Sequence, residues 1–263
     1  MVSQDKMWFI VVTLLWITCT AVPARAETHG YKEGWFLTFE DNFEGAELDL
    51  EKWEHAPEWI RKDGQWSHQE AFLNGSGQLI IQVSERDGKY YSGAIRTRGK
   101  FEQTYGYYEI RAKIPKEEGF WTAFWLMSDT VSQVGNDGRD GTEIDIFESP
   151  FARKGDLIQH ALHWDGYGRE HQSAGKVAYV PNLYEGYHIF GLEWNEDEYI
   201  FFVDGIETWR TNAGGVSQVP AYLKITAEVG DWAGDVRNAS LPAQLEVDYV
   251  RVYQRKESGR RVP

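Results

Sequence analysis

Between Gly106 and Pro115 the chain reads Gly-Tyr-Tyr-Glu-Ile-Arg-Ala-Lys-Ile-Pro, with apolar and charged residues alternating. Tyr108, Ile110, Ala112 and Ile114 fall on one side of an extended backbone, and Tyr107, Glu109, Arg111 and Lys113 on the other. A helix cannot bury that pattern, because its side chains return to one face every 3–4 residues, about 3.6 on average, rather than every second. The segment must be an antiparallel strand with one face on a core, as in a sandwich of two sheets.

The rest of the chain obeys the same rule. The spacing predicts strands over Gly77–Ser84 and Tyr90–Thr97, joined as a hairpin by Asp87-Gly88, and over Tyr187–Trp194 and Tyr199–Val203. Asp204-Gly205 turns the chain into Ile206–Trp209, and Tyr222–Glu228 and Glu246–Tyr253 complete the set. From Gly119 to Met127, Trp121, Ala123 and Trp125 share one face, and Phe120, Thr122, Phe124 and Leu126 the other. From Ile158 to Trp164, His160, Leu162 and Trp164 stand opposite Gln159, Ala161 and His163. Residues 54–69, with His55, Trp59, Trp66 and His68 among charges and no period, read as a long functional loop. No repeat or linker interrupts the chain, and about a dozen short strands indicate an all-β fold, a two-sheet antiparallel sandwich of the jelly-roll kind.

The N-terminus is of another kind. An apolar run from Met7 to Thr20 is too short to span a bilayer and precedes Ala24-Arg25-Ala26, a small-x-small cleavage site. Residues 1–26 read as a secretory signal peptide, so the protein is expected to be secreted or periplasmic, with a single catalytic domain over 27–263 and no membrane association once the signal is cut. The only cysteine, Cys19, leaves with the signal, and the core alone must hold the fold. The chain of 263 residues carries a formal charge of −14, and the signal, with Asp5, Lys6 and Arg25, takes away a net +1. A charge of that sign argues against nucleic acid and anionic polymers and favours a neutral ligand. With 12 Trp, 14 Tyr and 13 Phe, aromatic rings exceed what a core needs and suggest platforms for stacking sugars.

The chemistry concentrates in Gly141-Thr-Glu-Ile-Asp-Ile-Phe-Glu-Ser-Pro150, where three acids fall in six residues of a β-branched, aromatic segment. Strands disfavour acids. Glu143 and Asp145 share a face, but Glu148 lies at an odd offset and would point away. One β-bulge in Ile146-Phe147 restores the parity and brings all three acids to one side. Such spacing arises by chance about once in a chain this acidic, so its context carries the weight.

That context is extensive. Asp41-Asn42-Phe43-x-Gly45 followed by Leu48-Asp49 and Trp53, then Ser92-Gly93-x-x-x-Thr97-x-Gly99-Lys100-Phe101, Tyr105-Gly106-Tyr107-x-Glu109-x-Arg111-x-x-x-Pro115, Trp121-Thr-Ala-Phe-Trp125, the acidic strand and Glu246–Tyr253 together resemble family 16 of the glycoside hydrolases. The resemblance runs from about Phe39 to Tyr253, with Asn42 where the usual form has Glu and Thr122 where it has Pro. It implies a concanavalin-like jelly roll with a concave substrate cleft, and an activity like that of the laminarinase and β-glucanase branch. It also implies Glu143 as nucleophile, Glu148 as general acid/base and Asp145 as the acid between them. His163 would neighbour these acids or else be a buried core histidine. Asp248 matches a position that ligates a structural Ca²⁺, with Asn42 and the backbone of Gly77 nearby. Catalysis would need no cofactor.

The residues themselves support such roles. A retaining glycosidase needs two carboxyl groups roughly 5–5.5 Å apart, which a bulged, curved sheet permits. A negative Asp145 would raise the pKa of Glu148 and keep it protonated. Trp121 and Trp125 are cleft walls or core, Trp232 an outer stacking platform, and Arg96 and Glu228 partners for sugar hydroxyls unless they face outward. The expected protein is a monomeric endo-β-glycosidase acting on a neutral β-1,3- or mixed β-1,3/1,4-glucan. The rivals are an agarase- or galactanase-like enzyme, a transglycosylase, and an inactive β-glucan-binding lectin.

Overall fold

The structure, a computed structural model, describes residues 32–256. The signal segment with Cys19 and its cleavage site lies outside the described residues. Two sheets face each other across one core. The outer sheet runs Ile206–Thr211, Tyr199–Val203, His188–Trp194, Gly106–Lys113, Ala243–Arg255, Leu79–Arg86, Lys89–Ser92, Gly64–Trp66 and Ile60–Arg61, with Trp35–Asp41 and Ala71–Leu73 pairing beside it. The second runs Gln172–Tyr179, Leu157–Trp164, Thr142–Glu148, Phe120–Met127, Ala221–Val229, Ala94–Arg96 and Glu54–His55, with Glu102–Gln103 attached.

Two-residue alternation explains how the sheets meet. Tyr108, Ile110 and Ala112 of the outer sheet and Phe120, Phe124 and Leu126 of the second are buried in one shared core. Arg111 and Lys113, on the opposite face of the outer strand, pair with Asp248 and Glu246. The two-residue hairpin turns also follow from local chemistry: Asp87-Gly88 and Asp204-Gly205 all have positive φ, the geometry that lets a tight turn match strand twist.

Two expectations change, and one strand is new. The strand expected over Tyr90–Thr97 splits into Lys89–Ser92 in the outer sheet and Ala94–Arg96 in the second. Gly93 marks the crossing, where a Cβ would lie 2.2 Å from the Glu70 carbonyl oxygen, so only glycine lets the chain pass. The segment read as a loop over 54–69 contains the short strands Glu54–His55, Ile60–Arg61 and Gly64–Trp66. An edge strand, Gln172–Tyr179, went unpredicted because it is mostly exposed and carries no apolar alternation.

The acidic strand is anchored from its core face. Ile144, Ile146 and Phe147 are fully buried, and the Phe147 ring lies 4.3 Å from that of Phe190 on the outer sheet. Phe147→Ala should therefore cost about 3–5 kcal/mol of unfolding free energy, as large-to-small changes at buried aromatics do, measured by urea denaturation. A cost below about 1 kcal/mol would show that this ring does not hold the strand down.

Candidate active site

The second sheet presents its outer face as the floor of a cleft of about 590 Å³. Strand register sets that floor in rows. Asp145 pairs with Trp125, Trp125 with Lys224, and Lys224 with Arg96. One row along, Glu148 pairs with Ala123 and Ala123 with Thr226; on the other side, Glu143 pairs with Met127 and Met127 with Tyr222.

The bulge that parity required is present. Against Phe120–Met127, Phe147 pairs with Phe124 and Asp145 with Trp125, leaving Ile146 without a partner. Against Leu157–Trp164, Asp145 pairs with Ala161 and Glu148 with Gln159, so two residues of the acidic strand stand opposite His160 alone. The extra residue turns Glu143, Asp145 and Glu148 into the same cleft.

These carboxyl groups differ electrically. Burial, with Glu143 and Glu228 nearby, raises the Glu148 pKa to about 8. Asp145, only 3% exposed, is pushed well above the usual range by burial and by Glu148 and Glu143. Its Oδ2 has no hydrogen bond among the described residues and lies 3.5 Å from His163 Nε2. Burial also raises Glu143; the Tyr167 hydroxyl, which donates to its Oε2, and the nearby Lys224 offset only part of that rise. Carboxyl groups gathered on one face with unequal hydrogen-bond partners and charged neighbours are the arrangement that acid–base chemistry needs.

His163 lines the cleft rather than the core, its Nδ1 3.0 Å from His171 Nε2. Burial and His171 lower its pKa to about 4, so the ring is neutral near pH 7. Trp121 and Trp125 line the cleft but are 8% and 6% exposed, and Trp125 Nε1 donates to Thr226 Oγ1 at 3.0 Å. They form floor more than platform. Trp232, 42% exposed, stands edge-on to Trp121 at the rim. Arg96 and Glu228 also reach the cleft, each held in an ion pair: Arg96 to Glu54 at 2.6 Å, Glu228 to Arg61 at 2.7 Å.

At the expected calcium position the side chains meet guanidinium groups. The Asp248 carboxylate accepts from Arg111 Nη1 at 2.6 Å, and Asn42 Oδ1 from Arg251 Nη2 at 3.3 Å. Each of these side chains thus holds a guanidinium through one oxygen, and that positive charge opposes a hard cation at the same atoms.

Several cleft residues escaped the sequence reading. Lys224 is 6% exposed, with Nζ 3.5 Å from the Trp125 ring centroid and a pKa lowered by burial to about 7. Its signal was available: a lone cation in the apolar strand Ala221–Val229. Trp59, half exposed and stacked on Trp66, and Arg61 come from the segment read as a loop. Tyr167, in Asp-Gly-Tyr-Gly, carries no periodic signal.

A two-sheet β-sandwich whose aromatic-lined cleft gathers one buried and two half-buried carboxyl groups is the architecture of a glycoside-cleaving enzyme. Residues 56–251 match the family model for glycosyl hydrolases family 16, and the chain belongs to that family. It is 31% identical to a β-glucanase of Rhodothermus marinus over 246 residues, covering 84% of this chain and 85% of that protein. It is 28% identical to glucan endo-1,3-β-glucosidase A1 of Niallia circulans, covering 84% of this chain and 38% of the relative. The laminarinase catalytic domain of Thermotoga maritima superposes with a TM-score of 0.72 at 28% identity, over 86% of this chain and all of that domain.

Folding lifts the Glu148 pKa from an ordinary 4.5 to about 8, so the folded chain keeps a proton there that the unfolded chain releases. Stability from this group therefore falls as pH rises from about 4.5 to about 8. Glu148→Gln, which mimics the protonated acid, should melt a few degrees above the parent at pH 8 and level with it near pH 4, as followed by calorimetry. A constant difference across that range would remove the assigned shift.

Proposed function

We propose that this enzyme cleaves internal bonds of a neutral β-glucan, β-1,3-linked or mixed β-1,3/1,4-linked, with retention of configuration. What supports the reading most is one observation: the bulge turns a carboxyl group with a pKa near 8 and a second, hydrogen-bonded carboxylate into the same cleft. The relatives' named activities on β-glucans point the same way.

In this reading Glu148 donates its proton to the glycosidic oxygen as the bond to the anomeric carbon breaks. A Glu143 oxygen attacks that carbon and forms a glycosyl ester. Glu148, now a carboxylate, takes a proton from water, whose oxygen attacks the same carbon and releases Glu143. Asp145 stays protonated between them, so after burial the charges that hold the proton on Glu148 are those of Glu143 and Glu228 rather than the negative Asp145 expected from the sequence. Tyr167 and Lys224 favour the ionised Glu143 from the other side. Trp59 and Trp232, the exposed rings at the rim, stack on sugars outside the cleavage point. We also propose that residues 1–26 direct export, that the monomeric enzyme starts at Glu27, and that intact mass of the secreted product will show this.

Glu143→Gln and Glu148→Gln should each lower hydrolysis by at least about 100-fold while the fold persists by circular dichroism. Near-parental turnover in either variant would reject its role. In the parent, kcat/KM should fall as pH rises through about 8, because the proton Glu148 must donate is lost there. Reducing-sugar release across laminarin, lichenan, agarose and xyloglucan, with product sizing, tests the substrate: release from agarose alone would replace a glucan with a galactan.

A further inference from the structure

The bulge leaves the Ile146 backbone outside the ladder on both sides. A buried carbonyl in that position needs a donor, because one left unpaired keeps the full cost of its lost hydration. Here the donor is a side chain. His160 stands opposite the bulge with its ring in the core, fully buried, and Nδ1 lies 2.6 Å from the Ile146 carbonyl oxygen. A carbonyl only accepts, so Nδ1 carries the proton and Nε2 of the neutral ring is an acceptor. Nε2 lies 2.8 Å from Thr208 Oγ1 in the outer sheet. Burial lowers the ring's pKa to about 4, so this tautomer persists through neutral pH.

Thr208 is itself an extra residue. Phe201 pairs with Trp209 and Phe202 with Glu207, which leaves Thr208 unpaired in the ladder between them. One imidazole thus joins two bulges in opposing sheets, and the Phe201 ring packs against it at 4.8 Å. The geometry is that of a strut across the sandwich, ending at the residue whose displacement from the ladder decides where Glu148 points.

We propose that His160, braced by Thr208, is a positioning residue that fixes Glu148 relative to Glu143 by holding the Ile146 bulge. It touches no substrate. An apolar residue at 160 leaves the Ile146 carbonyl unpaired, and the strand recovers by shifting register or rotating, which swings Glu148 out of line with the leaving oxygen. Glu143 and Asp145, on the far side of the bulge, keep their pairing. The defect is therefore in proton donation rather than in nucleophilic attack. This inference rests on the role given to Glu148 above.

Leaving-group dependence tests it. For each variant, kcat/KM is measured on laminarin, whose leaving group needs a proton, and on a 2,4-dinitrophenyl β-glycoside of a laminarin oligosaccharide, whose leaving group does not. His160→Leu should lose about 100-fold on laminarin and less than about fivefold on the aryl glycoside. His160→Asn, whose amide nitrogen can replace Nδ1, should stay within about fivefold of the parent on both. Equal losses on the two substrates, or a His160→Leu variant as active on laminarin as the parent, overturn the proposal. If His160→Leu does not fold, Thr208→Val decides: it should lose about fivefold more on laminarin than on the aryl glycoside, and an unchanged ratio overturns the proposal. Glu148→Gln is the control. If it shows no preference for the aryl substrate, the acid role of Glu148 fails; if the parent ignores laminarin, the substrate reading fails. Neither result resembles a His160 variant that loses both activities alike.

Discussion

Side chains on an extended strand alternate, so acids at positions 143, 145 and 148 cannot share a face unless one residue leaves the ladder. Ile146 is that residue. Its removal from the pairing carries everything downstream: the turn of Glu148 into the cleft, the burial and then the mutual repulsion that lift carboxyl pKa values, and the local loss of backbone hydrogen bonds that His160 answers. On a strand without the bulge, Glu148 would point into a core made of Phe190, Leu162 and their neighbours, where no charge could be solvated.

Crowding acids under a desolvated surface is unfavourable, and the surroundings show how it is offset. Asp145 avoids charge by holding its proton, Glu148 does so up to about pH 8, and for Glu143, which burial also raises, the Tyr167 hydroxyl and the nearby Lys224 offset part of the cost of ionising. Lys224 shifts in the opposite direction, toward about 7, for the same reason of burial. The site thus approaches neutrality by moving protons between its members. Stability must then come from elsewhere, from the apolar layer between the sheets, and the described chain has no disulfide to assist it.

The character of the cleft also differs from that of the whole molecule. A chain with a net charge of −14 places Arg61, Lys62, Arg96, Arg98 and Lys224 around the binding surface. Arg61, Arg96 and Arg98 are matched by Glu228, Glu54 and Asp129. Overall charge therefore describes the outer surface and what it repels, while the cleft is a local balance of pairs. Aromatic residues divide similarly. Trp53, Trp66 and Trp194 are buried outright, and the exposed rings at the cleft mouth are the few that sugars can reach.

Much of this was legible in one dimension. Periodicity alone assigned Tyr108, Ile110 and Ala112 to the core, put Trp121 and Trp125 together on the face opposite Phe120 and Phe124, and called for a bulge at Ile146-Phe147, because parity is a property of the backbone and needs no partner to be counted. Asp-Gly turns were equally local. What sequence could not supply was anything set by which strands become neighbours. Asp248 acquires Arg111 as a partner only when their strands pair. Lys224 and Arg96 became one row of the cleft floor only when their strands met. His160 faced Thr208, some 48 positions away, only once the sheets had stacked. Sequence determines which way each side chain faces along its own strand; the electrostatic state of a group and its hydrogen-bond partners depend on atoms from distant segments, and only the packed sandwich brings those within range.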